Sequence, residues 1–98
     1  MTLTEVKKQA INCLRQDAYD HEVRRDLDVK NLFATGVVDK VWVAELIRKT
    51  SGSGYHCSPH HRSPDVDVHI CRSWKCGGWW YVKFYFMEPD MIFISVHL

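Results

Sequence analysis

The residues best suited to chemistry in this chain are His56, His69, Tyr81, Lys83, Tyr85 and His97. Together they offer acids, bases and a fixed cation. Such a set fits cleavage of RNA through its own 2′-hydroxyl, which needs a group to take that proton, a cation for the crowded phosphorane and an acid for the leaving oxygen. Histidine serves either proton role near neutral pH, lysine supplies positive charge, and tyrosine orients phosphate or stacks on a base. That chemistry requires no metal or other cofactor. The same residue types also populate any half-exposed strand, because all three tolerate partial exposure.

The segment from Ser58 to Pro64 (SPHHRSP) reads as a surface loop stiffened by Pro59 and Pro64. It brings His60, His61 and Arg62 to the rim of the same surface, where with Asp67 they are expected to contact RNA. A competing use exists for some of these residues. Cys57, His60, Cys71 and Cys76, with His61 and His69 nearby, contain enough soft ligands for a tetrahedral zinc site, although no paired CxxC knuckle is present.

Positioning these groups requires a sheet with distinct faces. Val66 to Cys71 alternates strictly, Trp79 to Met87 is aromatic and β-branched, and Met91 to Leu98 alternates again after Glu88-Pro89-Asp90. Three consecutive strands with short turns make an antiparallel meander. Two-residue periodicity predicts a core face of Val66, Val68, Ile70, Val82, Phe84, Phe86, Ile92, Ile94 and Val96. The opposite face should then display Asp67, His69, Cys71, Tyr81, Lys83, Tyr85, Phe93, Ser95 and His97. Trp79 and Trp80 should point to opposite faces. One joins the core; the other either stacks on a base or closes the core's edge.

Helices must cover the apolar face. Thr2-Leu3-Thr4-Glu5 is a capping box, followed by Val6, Ala10, Cys13 or Leu14, and Ala18 at helical spacing. Asp39 is an N-cap for a second helix through Val41, Trp42, Ala44, Leu46 and Ile47. Between them, Tyr19 to Lys30 is densely charged, with Val23, Leu27 and Val29 as its apolar anchors, and fits a short helix or a strand with loops. Thr50 to Gly54 links the helical half to the strands. The expected fold is therefore α+β, a single domain over residues 1–98, with N-terminal helices packed on one face of a C-terminal antiparallel sheet.

Composition narrows the function classes. At 98 residues, 46% hydrophobic, the chain suits one core. A net charge of +1 gives no global field that would by itself argue for nucleic acid, but five of the six histidines follow residue 54 and add positive charge below about pH 6. No stretch approaches the roughly 20 apolar residues of a membrane span, and Met1 precedes a polar periodic segment rather than a signal-peptide run. A cytoplasmic address without membrane association is expected, and the four cysteines are read as free thiols or metal ligands.

Gly54-Tyr55-His56-Cys57-Ser58, Asp67-Val68-His69, Trp80-Tyr81-Val82-Lys83-Phe84 and Asp90-Met91-Ile92-Phe93-Ile94-Ser95-Val96 resemble, in order and spacing, the MqsR toxins. Those are messenger-RNA interferases of toxin–antitoxin pairs with the RelE-like microbial ribonuclease fold. The resemblance spans residues 37 to 98, with weaker support from Leu3 to Lys8. It implies a metal-independent endoribonuclease acting on single-stranded RNA and held by a cognate antitoxin. By the resemblance, His56 stands where the family has a catalytic lysine, Tyr81 where it has a functional tyrosine, and Val66 where it has a glutamine. The alternative is a non-catalytic module that binds protein or RNA, with or without zinc.

Overall fold

The computed structural model describes residues 1–22 and 30–98. Helix α1 spans Leu3–Arg15, and its capping box forms as the sequence implies: the Thr2 hydroxyl accepts from the Glu5 amide while the Glu5 carboxylate accepts from the Thr2 amide. Val6, Ala10, Cys13 and Leu14 make its buried stripe. Helix α2 spans Lys40–Lys49, with the Asp39 carboxylate accepting from the Trp42 amide, and buries Val43, Leu46 and Ile47. Both helices pack on the sheet through these stripes.

The sheet has five strands in the order β1-β5-β4-β3-β2. Strand β1 is Tyr19–His21, β2 is Tyr55–Pro59, β3 is Asp67–Lys75, β4 is Gly78–Met87 and β5 is Asp90–His97. The meander of β3, β4 and β5 agrees with the sequence pattern, but the sheet is mixed rather than purely antiparallel. Strand β1, from the helical half, runs parallel to β5, and Asn31 forms a further parallel bridge to Val96. That placement resolves Tyr19–His21 as strand, whereas Val23, Leu27 and Val29 lie outside the described residues. Strand β2 was not expected. It is a short edge strand ending in proline, so half its backbone groups face away from the sheet and its side chains carry little apolar alternation.

Two turns join the meander. Cys76 and Gly77 both have positive φ (48° and 83°), the pattern of a two-residue type I′ hairpin whose twist matches the strands. Glu88-Pro89, joined by a cis peptide bond, closes the other hairpin between Met87 and Asp90.

The face assignment holds for β4 and inverts for β3. Val82, Phe84 and Trp80 point to the helices, and Tyr81, Lys83 and Tyr85 point away. In register with them, His69, Cys71 and Ser73 lie on the helix side, while Val68, Ile70, Arg72 and Trp74 share the outer face. The strand runs to Lys75, beyond the alternating stretch, and its far half decides the orientation. Cys71 is buried with the core, and the Ser73 hydroxyl donates to the Leu46 carbonyl at the end of α2 (2.8 Å). The displaced valines acquire a second cover. Residues 60–66 fold over that end of the outer face, closed by backbone hydrogen bonds from His60 to Val66 and from Val66 to Ser63, and Val68 is buried there.

On β5 a bulge reverses the parity. Ser95 is opposite Lys83 but Phe93 is opposite Phe84, so Ile94 is the extra residue. Val96, Phe93 and Met91 therefore face the core, and Phe93, expected outside, is completely buried. Ile92, opposite Tyr85, goes to the outer face.

Candidate functional site

The outer face is ordered by strand register into three rows. Across β2, β3, β4 and β5, one row holds His56, Ile70, Lys83 and Ser95. A second, one step toward the β3–β4 hairpin, holds Arg72, Tyr81 and His97; a third, in the other direction, holds Ser58, Val68, Tyr85 and Ile92. Adjacent rows on one face are about 6.5 Å apart and adjacent strands about 4.8 Å. Lys83 sits at the centre of this lattice. His56 stands about 10 Å away at the backbone, across Ile70, a span that two extended side chains can share above one phosphate.

Lys83 is half-buried, makes no ion pair among the described residues, and opens into a cavity of about 360 Å³ lined by Pro59, His60, His61, Val68, Lys83 and Ile94. A larger groove of about 680 Å³ follows α1 past Glu5, Lys8 and Arg15, but it holds no histidine, tyrosine or cysteine, and its Glu5 carboxylate is taken up by the capping box.

His97 is the best-prepared imidazole. Its ring stacks on Tyr81 (centroids 5.0 Å, interplanar angle 23°), and its Nδ1 lies 2.7 Å from the Leu98 carbonyl oxygen. A carbonyl can only accept, so Nδ1 carries a proton, and in the neutral ring the lone pair is on Nε2. Burial pushes the Tyr81 hydroxyl above the usual phenol range, against the opposing pull of Arg72. Tyr81 thus remains a neutral donor. His56 is exposed on β2, in the Lys83 row and two strands from Lys83.

His60 and His61 reach the cavity, in different states. His60 is only 7% exposed, stands edge-on to Tyr85, and accepts from the amides of Arg62 and Ser63 at Nδ1 (3.0 and 3.2 Å). Its proton is therefore on Nε2, 3.3 Å from the Glu22 carboxylate but out of line for a hydrogen bond. With Nδ1 occupied by two amides and the ring buried, His60 is a wall of the cavity rather than a free base. His61 and Arg62 are exposed on the loop.

His69, expected in the catalytic set, is excluded by its position. It is 4% exposed on the helix side, packed against Phe84 and Phe86, and its Nδ1 is hydrogen-bonded to the Tyr55 hydroxyl (2.7 Å). Burial holds its pKa below the ordinary histidine value although Asp67 pulls the other way, so it is a neutral core histidine. Tyr55 is pushed up to about 12, first by burial and then by Cys57. Asp67 alternates to this same helix-side face and is exposed at its end, away from Lys83. The alternative zinc ligands do not converge: Cys57 and Cys71 lie on the helix side, His60 on the outer side and Cys76 in the hairpin turn. Among the described residues no group of three potential ligands is close enough to hold a metal. Burial also raises the Cys71 thiol to about 11, which leaves it protonated.

Of the outer-face residues near the hairpin, an exposed tryptophan of the Trp79–Trp80 pair was anticipated, whereas Arg72 and Trp74 were not. The alternation beyond Cys71 could have located them had the strand been continued through Arg72-Ser73-Trp74-Lys75. No helix among the described residues is long and apolar enough to cross a membrane. Compared with known proteins, the chain matches no protein-family model and no curated protein at a significant level.

Proposed function

We propose that this protein is a metal-independent endoribonuclease of the messenger-RNA interferase type, cutting single-stranded RNA on the sheet face that the helices leave uncovered. The observation that carries this reading is the central Lys83 with an imidazole on either side, His56 across Ile70 and His97 on the neighbouring strand. The resemblance of the His56 and Tyr81 segments to the MqsR toxins supports it, as does a helix-covered sheet with one ionisable face.

In this mechanism His97 Nε2 removes the proton from a ribose 2′-hydroxyl, whose oxygen attacks the adjacent phosphorus. Lys83 neutralises the charge gathering on the phosphoryl oxygens, and Tyr81 donates to one of them. A protonated His56 gives its proton to the departing 5′-oxygen as the P–O5′ bond breaks. The products are a 2′,3′-cyclic phosphate and a 5′-hydroxyl, with one proton taken and one given. Tyr85, held against His60, and the exposed His61 and Arg62 border the nucleotide path.

A toxin of this type works in the cytoplasm and is restrained by an antitoxin, which would cover the Lys83 face or pair with the edge of β2. The test is incubation of purified protein with RNA in EDTA, followed by analysis of the new ends. Cyclic phosphate and 5′-hydroxyl termini are expected from the wild type, and intact RNA would overturn the reading. Growth arrest on expression, relieved by a neighbouring gene, tests the toxin–antitoxin assignment separately.

A further inference from the structure

At the hairpin end of the outer face, Trp74 and Trp79 are opposite each other, 51% and 54% exposed, with rings 5.7 Å apart in an edge-to-face arrangement. A small protein rarely leaves two adjacent indoles half in water without a use for them. One step toward Lys83, Arg72 is exposed and makes no ion pair among the described residues. Beside them is a recess of about 140 Å³ lined by Ser51, Ser53, Gly54, Arg72 and Trp79. It contains no acidic residue. Its rim is held by backbone contact, because a Cβ on Gly54 would lie 2.4 Å from the Arg72 carbonyl oxygen. The Ser51 and Ser53 hydroxyls are 3.0 Å apart at its edge.

An aromatic surface, an uncompensated guanidinium and paired hydroxyls match one kind of occupant: an unpaired nucleobase with its phosphate. Indole faces stack on any base, and arginine pairs with phosphate oxygens in a planar fork. The recess is separated from Lys83 by one row of the lattice, through Arg72 and Tyr81. Successive cation-bearing rows about 6.5 Å apart suit successive phosphates of an extended strand. We propose that Trp79, supported by Trp74, and the recess formed by Arg72, Ser51 and Ser53 make a stacking and phosphate subsite for single-stranded RNA, one or two nucleotides from the bond at Lys83. This deepens the nuclease reading and rests on it for the direction of the strand.

The test uses the native protein and 2′-O-methylated oligoribonucleotides of increasing length, which cannot be cut, with binding followed by fluorescence anisotropy. Affinity is expected to rise in a step once the strand is long enough to reach the hairpin. Trp79→Ala should remove that step, a loss of about tenfold or more for a stacked base, and Trp79→Phe should retain most of it. Arg72→Ala should weaken binding of all sequences alike and reduce the salt dependence by about one ion. Circular dichroism, with the phenylalanine variant, separates loss of the subsite from loss of the hairpin. If Trp79→Ala and Arg72→Ala bind long oligonucleotides as the wild type does, or the wild type gains nothing from length, the subsite is refuted even where unmethylated RNA is cut. A Trp79-dependent step in a protein that cuts no RNA would keep the subsite and overturn the nuclease reading instead.

Discussion

Replacing Lys83 by methionine is the sharpest perturbation of the proposed site. Methionine keeps an unbranched apolar stem between Ile70 and Ser95 and removes only the charge. Because Lys83 makes no ion pair among the described residues, folding should change by no more than about 0.5 kcal/mol. In the proposed mechanism its contribution to the transition state is much larger. One unit charge about 4 Å from another contributes about 4 kcal/mol at an effective dielectric of roughly 20, and loss of one preorganised donor typically costs about 2.7–4 kcal/mol. The two figures agree on a rate lowered by about 10²–10³. Single-turnover cleavage of a fluorogenic RNA in EDTA measures this directly, with urea unfolding as the control for folding. His69→Phe, on the opposite face, should alter the unfolding midpoint rather than the rate. A folded Lys83→Met protein that cuts at the wild-type rate would refute the placement of the phosphate.

The remaining predictions concern proton roles and stability. His56→Ala and His97→Ala should each lower cleavage by about 10²–10⁴; wild-type rates in both variants would remove them from the mechanism. Burial depresses the pKa of His69, and of His21 as well, so the unfolded chain binds protons that the native state refuses. Stability from these groups is complete above about pH 6.5 and is lost as pH falls through that value toward their folded pKa values. Urea midpoints should accordingly drop between pH 7.5 and 5, with a shallower drop in His69→Phe. Tyr55→Phe removes the hydrogen-bond partner of the buried His69 Nδ1 and should cost about 1–3 kcal/mol. Gly54→Ala drives a methyl group into the Arg72 carbonyl and should lower the thermal midpoint measurably.

Local signals in the chain determined the helices and their caps, the three-strand meander, the outward row of Tyr81, Lys83 and Tyr85, and the division of Trp80 from Trp79. Each depends on residues a few positions apart, where backbone geometry alone sets spacing and direction. The side of the sheet taken by His69, Asp67, Ile92 and Phe93 was not a local matter. Alternation separates two sets of side chains but does not say which set meets the helices. For β3 that choice fell to Cys71 and Ser73 beneath α2, to Tyr55 as the partner of His69, and to a loop able to cover Val68; for β5 it fell to one extra residue at Ile94. The tautomers of His60 and His97, by contrast, follow from backbone groups within three residues of each ring. Tertiary contacts thus leave His97 and not His69 on the Lys83 face of the proposed site, because burial energy is collective while periodicity belongs to a single strand.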